Sequence, residues 1–319
     1  MKEKLLASSD TYGNTLIDLG RANPDIFAVD ADLMKASGSR PFKEKYPDRH
    51  VNVGVAEQNL VSVAAGLAAM GRIPFACTMS NFISQRACDQ VTISAAYNRF
   101  NVKLVGCFAG LSQEKNGGTH IGVIDIAIMR CLPNMTVFAA SDQRELKDIM
   151  LASASIDGPV YIRMARYLPE DLFGSSYKFE IGKGYQVSDG NDLTLVSTGI
   201  SSMVALEALD ELKKVGVNAR LLHFPCIKPP DTDLLIKCTR ETGVVITVED
   251  HSIYGGLGGL VSEIVSQEFP VPVTRIGMED QFGLTASLDF QLNYFGINTK
   301  NIVARARAIL KSINKYKAG

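Results

Sequence analysis

Short runs rich in Val, Ile and Phe alternate along the chain with segments whose apolar residues recur at helical spacing. In the first half, DIFAVDAD (25–32), HVNVGVA (50–56), IPFACTM (73–79), NVKLVGCF (101–108), MTVFAA (135–140) and PVYIRMA (159–165) read as strands. Helical patterns lie between them near Asp10–Arg21, Gln58–Met70, Asn81–Ala96, Asp125–Arg130 and Gln143–Ala154. Parallel strands need long crossovers, and crossover helices cover the faces of the sheet. The alternation therefore predicts a mainly parallel sheet with helices on both sides.

The stretch LPEDLFGSSYKFEIGKG (168–184) breaks this rhythm with Pro, Gly, Ser and charge, and reads as a linker. Beyond it come strand DLTLVSTG (192–199), helix ISSMVALEALDELKKVG (200–216) and strand VNARLLHF (217–224), then a Pro-rich turn, PCIKPPD (225–231). A short helix, strand GVVITVED (243–250), a Gly-rich turn, helix LGGLVSEIVSQEF (257–269) and strand VPVTRIG (271–277) follow. Val204, Leu209, Leu212 and Val215 form one stripe that should face the sheet. The fold class is α/β: two consecutive domains, residues 1–180 and 185–319, each a mainly parallel sheet with helices on both faces.

A length of 319 residues suits two such domains, and 46% hydrophobic with 21% charged residues is ordinary for a globular protein. A formal net charge of −1 gives no ground for nucleic acid or an anionic membrane as partner. No apolar run approaches the roughly 20 residues of a membrane span, and the N-terminus lacks a signal-peptide pattern. Six cysteines without a CxxC pair, mostly among apolar neighbours, point to buried, reduced thiols in a cytoplasmic protein.

Three places could carry chemistry. VNVGVAEQN (51–59) is an apolar run ending in one acid, Glu57. It is either a first-turn acid favoured by the helix dipole, or a proton donor or acceptor at the strand edge where α/β sheets bind ligands. In NFISQRACDQV (81–91), Phe82 is core or a flat face for an aromatic ligand. Arg86, one turn on, is a surface charge paired with Asp89 or part of the same site. In KNGGTHIGVID (115–125), the glycines allow close backbone approach, which makes His120 an exposed candidate rather than a loop histidine satisfied by backbone.

VNVGVAEQNLVSVAAGLAAMGRIPF, NFISQRACDQV, GGTHIGVIDIAIMRCLPNMTV and GPVYIRMARYLP together resemble the pyrimidine-binding domain of transketolases. VVITVEDHSIYGGLGGLVSEIV is similar to their C-terminal domain, and the order is kept over nearly the whole chain. The resemblance implies thiamine diphosphate as cofactor. It implies that Glu57 hydrogen-bonds a ring nitrogen of the aminopyrimidine and so promotes removal of the thiazolium C2 proton. By the same resemblance Phe82 packs on the pyrimidine with Arg86 beside it, His120 lies near the reacting carbonyl, and Asp32 is close to the cofactor and substrate channel. The family holds the diphosphate through Mg2+ or Ca2+ at a GDG motif followed by Asn, and no GDG occurs here. The chain thus resembles the C-terminal subunit of a split transketolase, with no metal ligands of its own. An N-terminal diphosphate-binding subunit as partner, and an α2β2 assembly, are implied.

Ser9 stands where the family often has a phosphate-binding Arg, Phe108 where it has a His, and Asn116 where an Asp reads the hydroxyl beside the carbonyl. Ser37, Arg163 and Arg166 remain for an anionic substrate group, since a guanidinium suits phosphate or sulfonate. The alternative for Arg166 is a surface ion pair with Glu170. These departures imply a variant ketose donor, such as apulose 4-phosphate or a sulfonated sugar. Rival readings are a deoxyxylulose-phosphate synthase half, a 2-oxoacid dehydrogenase β-type subunit, a non-catalytic scaffold, and a nucleotide site at YGGLGGLVSEI (254–264). His251 is read as structural or at a subunit contact.

Overall fold

The computed structural model describes residues 4–317, with side chains described as far as Ile313. In the first half the strands are β1 (Leu5–Ala7), β2 (Ile26–Asp30), β3 (His50–Asn52), β4 (Ile73–Met79), β5 (Lys103–Cys107), β6 (Thr136–Ala139), β7 (Val160–Arg163) and β8 (Tyr167–Pro169). The second half adds β9 (Tyr185–Ser188), β10 (Leu193–Ser197), β11 (Ala219–His223), β12 (Cys226–Lys228), β13 (Val245–Ser252) and β14 (Val273–Met278).

One sheet runs β12-β6-β7-β5-β4-β2-β3 and is parallel apart from β12. The other runs β14-β13-β10-β11-β9 and is parallel apart from β9. Phe75, Ala76 and Cys77 on β4, and Leu104 and Val105 on β5, are buried on both faces, which is why these strands read as unbroken apolar runs. The carboxyl ends of β2, β3, β4, β5 and β7 share one edge, and the turns leaving them carry Asp32, Glu57, Phe82 and Phe108.

Several elements depart from the sequence pattern, each for a local reason. β3 stops at Asn52 because the Asn52 side chain accepts from the Asp32 and Gly54 amides (both 3.0 Å), turning the chain out of the sheet. The helix expected over 81–96 is broken into Phe82–Arg86, Cys88–Gln90 and Val91–Tyr97, and its first piece is a wide turn with the Ala87 amide donating to the Phe82 carbonyl. In helix Ser201–Lys214 the buried face is Met203, Val204, Ala205, Ala208 and Leu212, while Val215 is exposed. The alanines let this helix sit close to its sheet, so the stripe is rotated from the expected one. The linker is partly structured: β8 pairs with β1, and Tyr177 is buried. The Pro-rich turn contains β12, which crosses to extend the first-half sheet.

Two buried polar clusters fasten the halves. Glu145 accepts from the Ser141 amide and hydroxyl (2.7 Å each), from Tyr177 and from His223 Nε2 (2.8 Å), while His223 Nδ1 meets Ser202 Oγ at 2.8 Å. Burial pushes the Glu145 carboxyl up, but His223 and the hydroxyl donors hold it below its usual value. In the second cluster Arg163, 2% exposed, uses Nε on Asp125 (3.0 and 3.2 Å), Nη1 on Asp250 Oδ1 (2.7 Å) and Nη2 on the Asp250 carbonyl (3.0 Å). Arg163 is therefore a domain tie, against the expectation that it meets a substrate anion: each of its three nitrogens is bonded inside the protein and the side chain is withdrawn from solvent.

Removing one member of such a buried ion group strands the others. Arg163→Met should lower stability by about 3–5 kcal/mol in chemical denaturation; a variant as stable as the parent would contradict this assignment.

Candidate active site at the carboxyl edge of the first sheet

Glu57 opens helix Glu57–Ala69 and is 4% exposed, with Leu60, Val61, Ala64 and Ala65 packing the same helix inward. The helix N-terminus favours a carboxylate there. Arg86 Nη1 donates to Glu57 Oε2 at 2.9 Å, so Arg86 pairs with Glu57 and not with Asp89. Its guanidinium carbon lies 4.0 Å from the centre of the Phe82 ring, and that ring meets the His120 imidazole edge-on, at 5.2 Å and 66°. The structure thus brings Glu57, Arg86, Phe82 and His120 into one continuous line. Arg86 is half exposed, which opens the line to solvent.

Asn81, which no sequence pattern singled out, secures the line. Its Nδ2 donates to the Thr119 carbonyl at 2.6 Å, tying the His120 turn to the end of β4. The Asn81 Oδ1 and the adjacent Ser80 Oγ are buried without a partner. A polar pair directly after a buried strand end was the available signal. A buried carboxylate with an exposed counter-ion, an aromatic face and an orphaned amide oxygen form a set that fits a heteroaromatic amine, and so fits an aminopyrimidine.

The other candidates divide. Asp32, exposed and with a positive φ of 62°, shares the edge and accepts from Asn52 Nδ2 at 3.2 Å. No hydrogen bond or ring contact among the described residues joins it to the Glu57–His120 line. Ser37 is fully buried and gives its hydroxyl to Asp30 at 2.8 Å, as Ser39 does at 2.9 Å. Ser37 therefore organises the turn after β2 and is not a donor to substrate. Asn116 is exposed, directly before the Gly117–Gly118 turn. Arg166 does not pair with Glu170. It donates through Nη1 to the Gln113 carbonyl (3.3 Å) and side chain (3.5 Å), and lies 5.1 Å over Phe108 and 5.4 Å over Tyr167.

The Gly-rich turn before helix Leu257–Glu268 is already filled. Glu249 accepts from the Leu257 and Gly258 amides at 2.7 and 2.8 Å, occupying the donors a phosphate would need. A Cβ on Gly256 would come within 2.1 Å of that carboxylate, so this glycine serves a carboxylate cap and the nucleotide reading fails. His251 beside it is fully buried and structural: Nδ1 donates to the Ser252 carbonyl at 2.7 Å and Nε2 faces the Ala127 amide at 3.4 Å. Of the cysteines, Cys77, Cys107, Cys226 and Cys238 are buried free thiols, whereas Cys131 is exposed.

Residues 4–170 match the transketolase pyrimidine-binding domain and residues 182–302 the transketolase C-terminal domain. The chain belongs to the transketolase family, with the domain content of its split C-terminal subunits. It is 40% identical over 305 residues to the 6-deoxy-6-sulfo-D-fructose transketolase subunit SqwH of Clostridium sp. (strain MSTE9), covering 96% of this chain and 95% of that one. It is 33% identical over 312 residues to an apulose-4-phosphate transketolase subunit of Phocaeicola vulgatus, covering 98% and 100%. A solved split-gene transketolase, described as an inactive beta4 tetramer, superposes with a TM-score of 0.89 at 39% identity over 96% of this chain and 99% of that one. Synthases of 1-deoxy-D-xylulose 5-phosphate also match, but this chain spans about half their length. The family uses thiamine diphosphate.

Burial pushes the His251 imidazole down to about 4, with Arg163 adding to the shift and Asp125 opposing it. Below pH ~6.5 the unfolded chain takes up a proton there that the folded chain refuses. Its contribution, present above pH ~6.5, is lost as pH falls towards 4, by about 3 kcal/mol in all. Denaturation of His251→Gln should show a shallower acid limb between pH 6.5 and 4 than the parent; parallel limbs would rule the imidazole out as its source.

Proposed function

We propose that this chain acts with a separate N-terminal subunit to move a two-carbon ketol unit from a ketose phosphate, or its sulfonated counterpart, to an aldose phosphate. The continuous line from Glu57 to His120 carries this reading. Thiamine diphosphate, when bound, supplies the carbon nucleophile and electron sink of the transfer. Glu57 holds a proton at a ring nitrogen of the aminopyrimidine, and Arg86 offsets the cost of burying its charge. Phe82 offers the pyrimidine a stacking surface worth ~0.5–1.5 kcal/mol. His120, at the rim beside Phe82, orients the sugar and exchanges a proton with its hydroxyl. Asp32 and Asn116 flank the approach. The diphosphate and its Mg2+ or Ca2+ sit on the N-terminal subunit, in an α2β2 assembly that a cytoplasm would keep reduced.

In this reading residues 1–180 form the pyrimidine-binding domain and residues 185–319 the C-terminal domain. With Arg163 and Ser37 committed internally, Arg166 is the residue we assign to the anionic end of the donor, its remaining guanidinium donors directed by the rings of Phe108 and Tyr167. So small a cationic set supports a variant donor such as apulose 4-phosphate or a sulfonated sugar, in keeping with the names of the related subunits. A scaffold role is disfavoured by the Glu57–Arg86 pair, since a silent copy gains nothing from burying a carboxylate.

Glu57→Ala in the reconstituted two-subunit complex should lower turnover by about 10²-fold or more while light scattering shows the complex intact. Unchanged turnover would leave the scaffold reading standing. Kinetics with a panel of ketoses should favour a branched or sulfonated donor; preference for xylulose 5-phosphate with ribose 5-phosphate over all others would refute the variant donor.

A further inference from the structure

The segment 279–287, leaving β14 of the second sheet, lies along the 110–120 loop that ends in His120. The Ala286 amide donates to the Glu114 carbonyl at 3.1 Å, and the Leu288 amide to Glu114 Oε1 at 2.8 Å. Gln291, fully buried, completes the join. Its Nε2 donates to the Leu111 carbonyl (3.1 Å) and the Ala286 carbonyl (3.2 Å), and its Oε1 accepts from the Leu284 amide (2.9 Å). Each of its three polar bonds therefore holds either the 279–287 segment or the 110–120 loop.

The contact is tight as well as polar. A Cβ on Gly118 would stand 2.7 Å from the Gly283 carbonyl, and one on Gly283 would stand 2.6 Å from the Ile121 side chain. Glu114 keeps a positive φ of 60° with ψ −72°, a backbone conformation that a long side chain holds only when its surroundings impose it. The His120 turn is thus gripped from two sides: by Asn81 of its own domain, and by the 283–291 stretch of the other.

We propose that Gln291 and Glu114 are positioning residues: through this clamp the C-terminal domain sets where His120 stands relative to Phe82 and Glu57, and so tunes use of the ketose donor. The catalytic part of this inference rests on the function proposed above; the clamp itself does not. No atom of the pair need touch substrate. A misplacement of about 1 Å at a reacting group costs up to 10²-fold in rate, so a loosened turn is sufficient.

The test has two readouts. In hydrogen exchange on the full chain alone, Glu114→Ala and Gln291→Leu should each speed exchange of amides 117–121 by about tenfold or more, while Glu114→Gln, which keeps the acceptor for Leu288, should not. In the reconstituted complex the same two variants should lose about 10- to 100-fold in kcat/KM for the ketose donor, with thiamine diphosphate affinity within about twofold of the parent and activity restored in Glu114→Gln. Gly283→Ala, which wedges the loops apart without removing a hydrogen bond, should reproduce both effects and covers the case in which Glu114→Ala does not fold. Unchanged exchange at 117–121, or a loss of activity that Glu114→Gln shares, would overturn the clamp. An inactive parent complex with the predicted loosening would instead sink the proposed reaction and leave the clamp standing.

Discussion

The guanidinium of Arg163, shared between Asp125 of one sheet's domain and Asp250 of the other's, is the contact on which the relative placement of the halves depends. Two carboxylates and one arginine, all withdrawn from water, tolerate little displacement, because each loses its compensation once the geometry opens. Its neighbours repeat the constraint. Tyr161 donates to Asp125 at 2.7 Å, His251 is closed in neutral beside it, and Glu249 caps the helix that begins at Leu257. The Glu145–His223 cluster imposes the same restraint at a second point. With these buried ties the two α/β units are held as one frame.

On that frame the carboxyl edge of the first sheet carries the Glu57–His120 line. Glu57 can be buried because Arg86 compensates it, and Arg86 is held over Phe82 by the wide turn that interrupts the helix. Wide turns of this kind insert a residue into the helical spacing and recur at functional sites, where a side chain must be aimed off the regular stripe. The orphaned oxygen of Asn81 lies buried behind this line, and the half-buried imidazole of His120 closes its outer end.

The C-terminal half contributes more than bulk. It supplies β12 to the first sheet, the Asp250 side of the arginine tie, and the 279–291 stretch that packs on the His120 loop. The β12 pairing and the 279–291 contacts are backbone-close, made through glycines and amide hydrogen bonds and not through apolar contact alone. Such contacts transmit small displacements, because neither glycine pair nor amide ladder can slide without losing its bonds.

The apolar periodicity by itself determined the α/β class and most of the core strands, since strands covered on both faces must be apolar along their length. Local pattern offered Glu57, Phe82 and His120 as candidates, because each sits near a strand end or glycine turn, and the resemblance to transketolases gave them and Arg86 a shared site. Only the tertiary structure could decide the fate of Arg163 and Ser37: a polar side chain looks equally available until its partners are known, and Asp250 lies 87 residues from Arg163. The short strands β1, β8, β9 and β12 were invisible for the same reason, their existence depending on a distant edge to pair with. Whether a polar residue faces a ligand or another part of its own chain is a question of long-range contact, and local pattern holds no record of it.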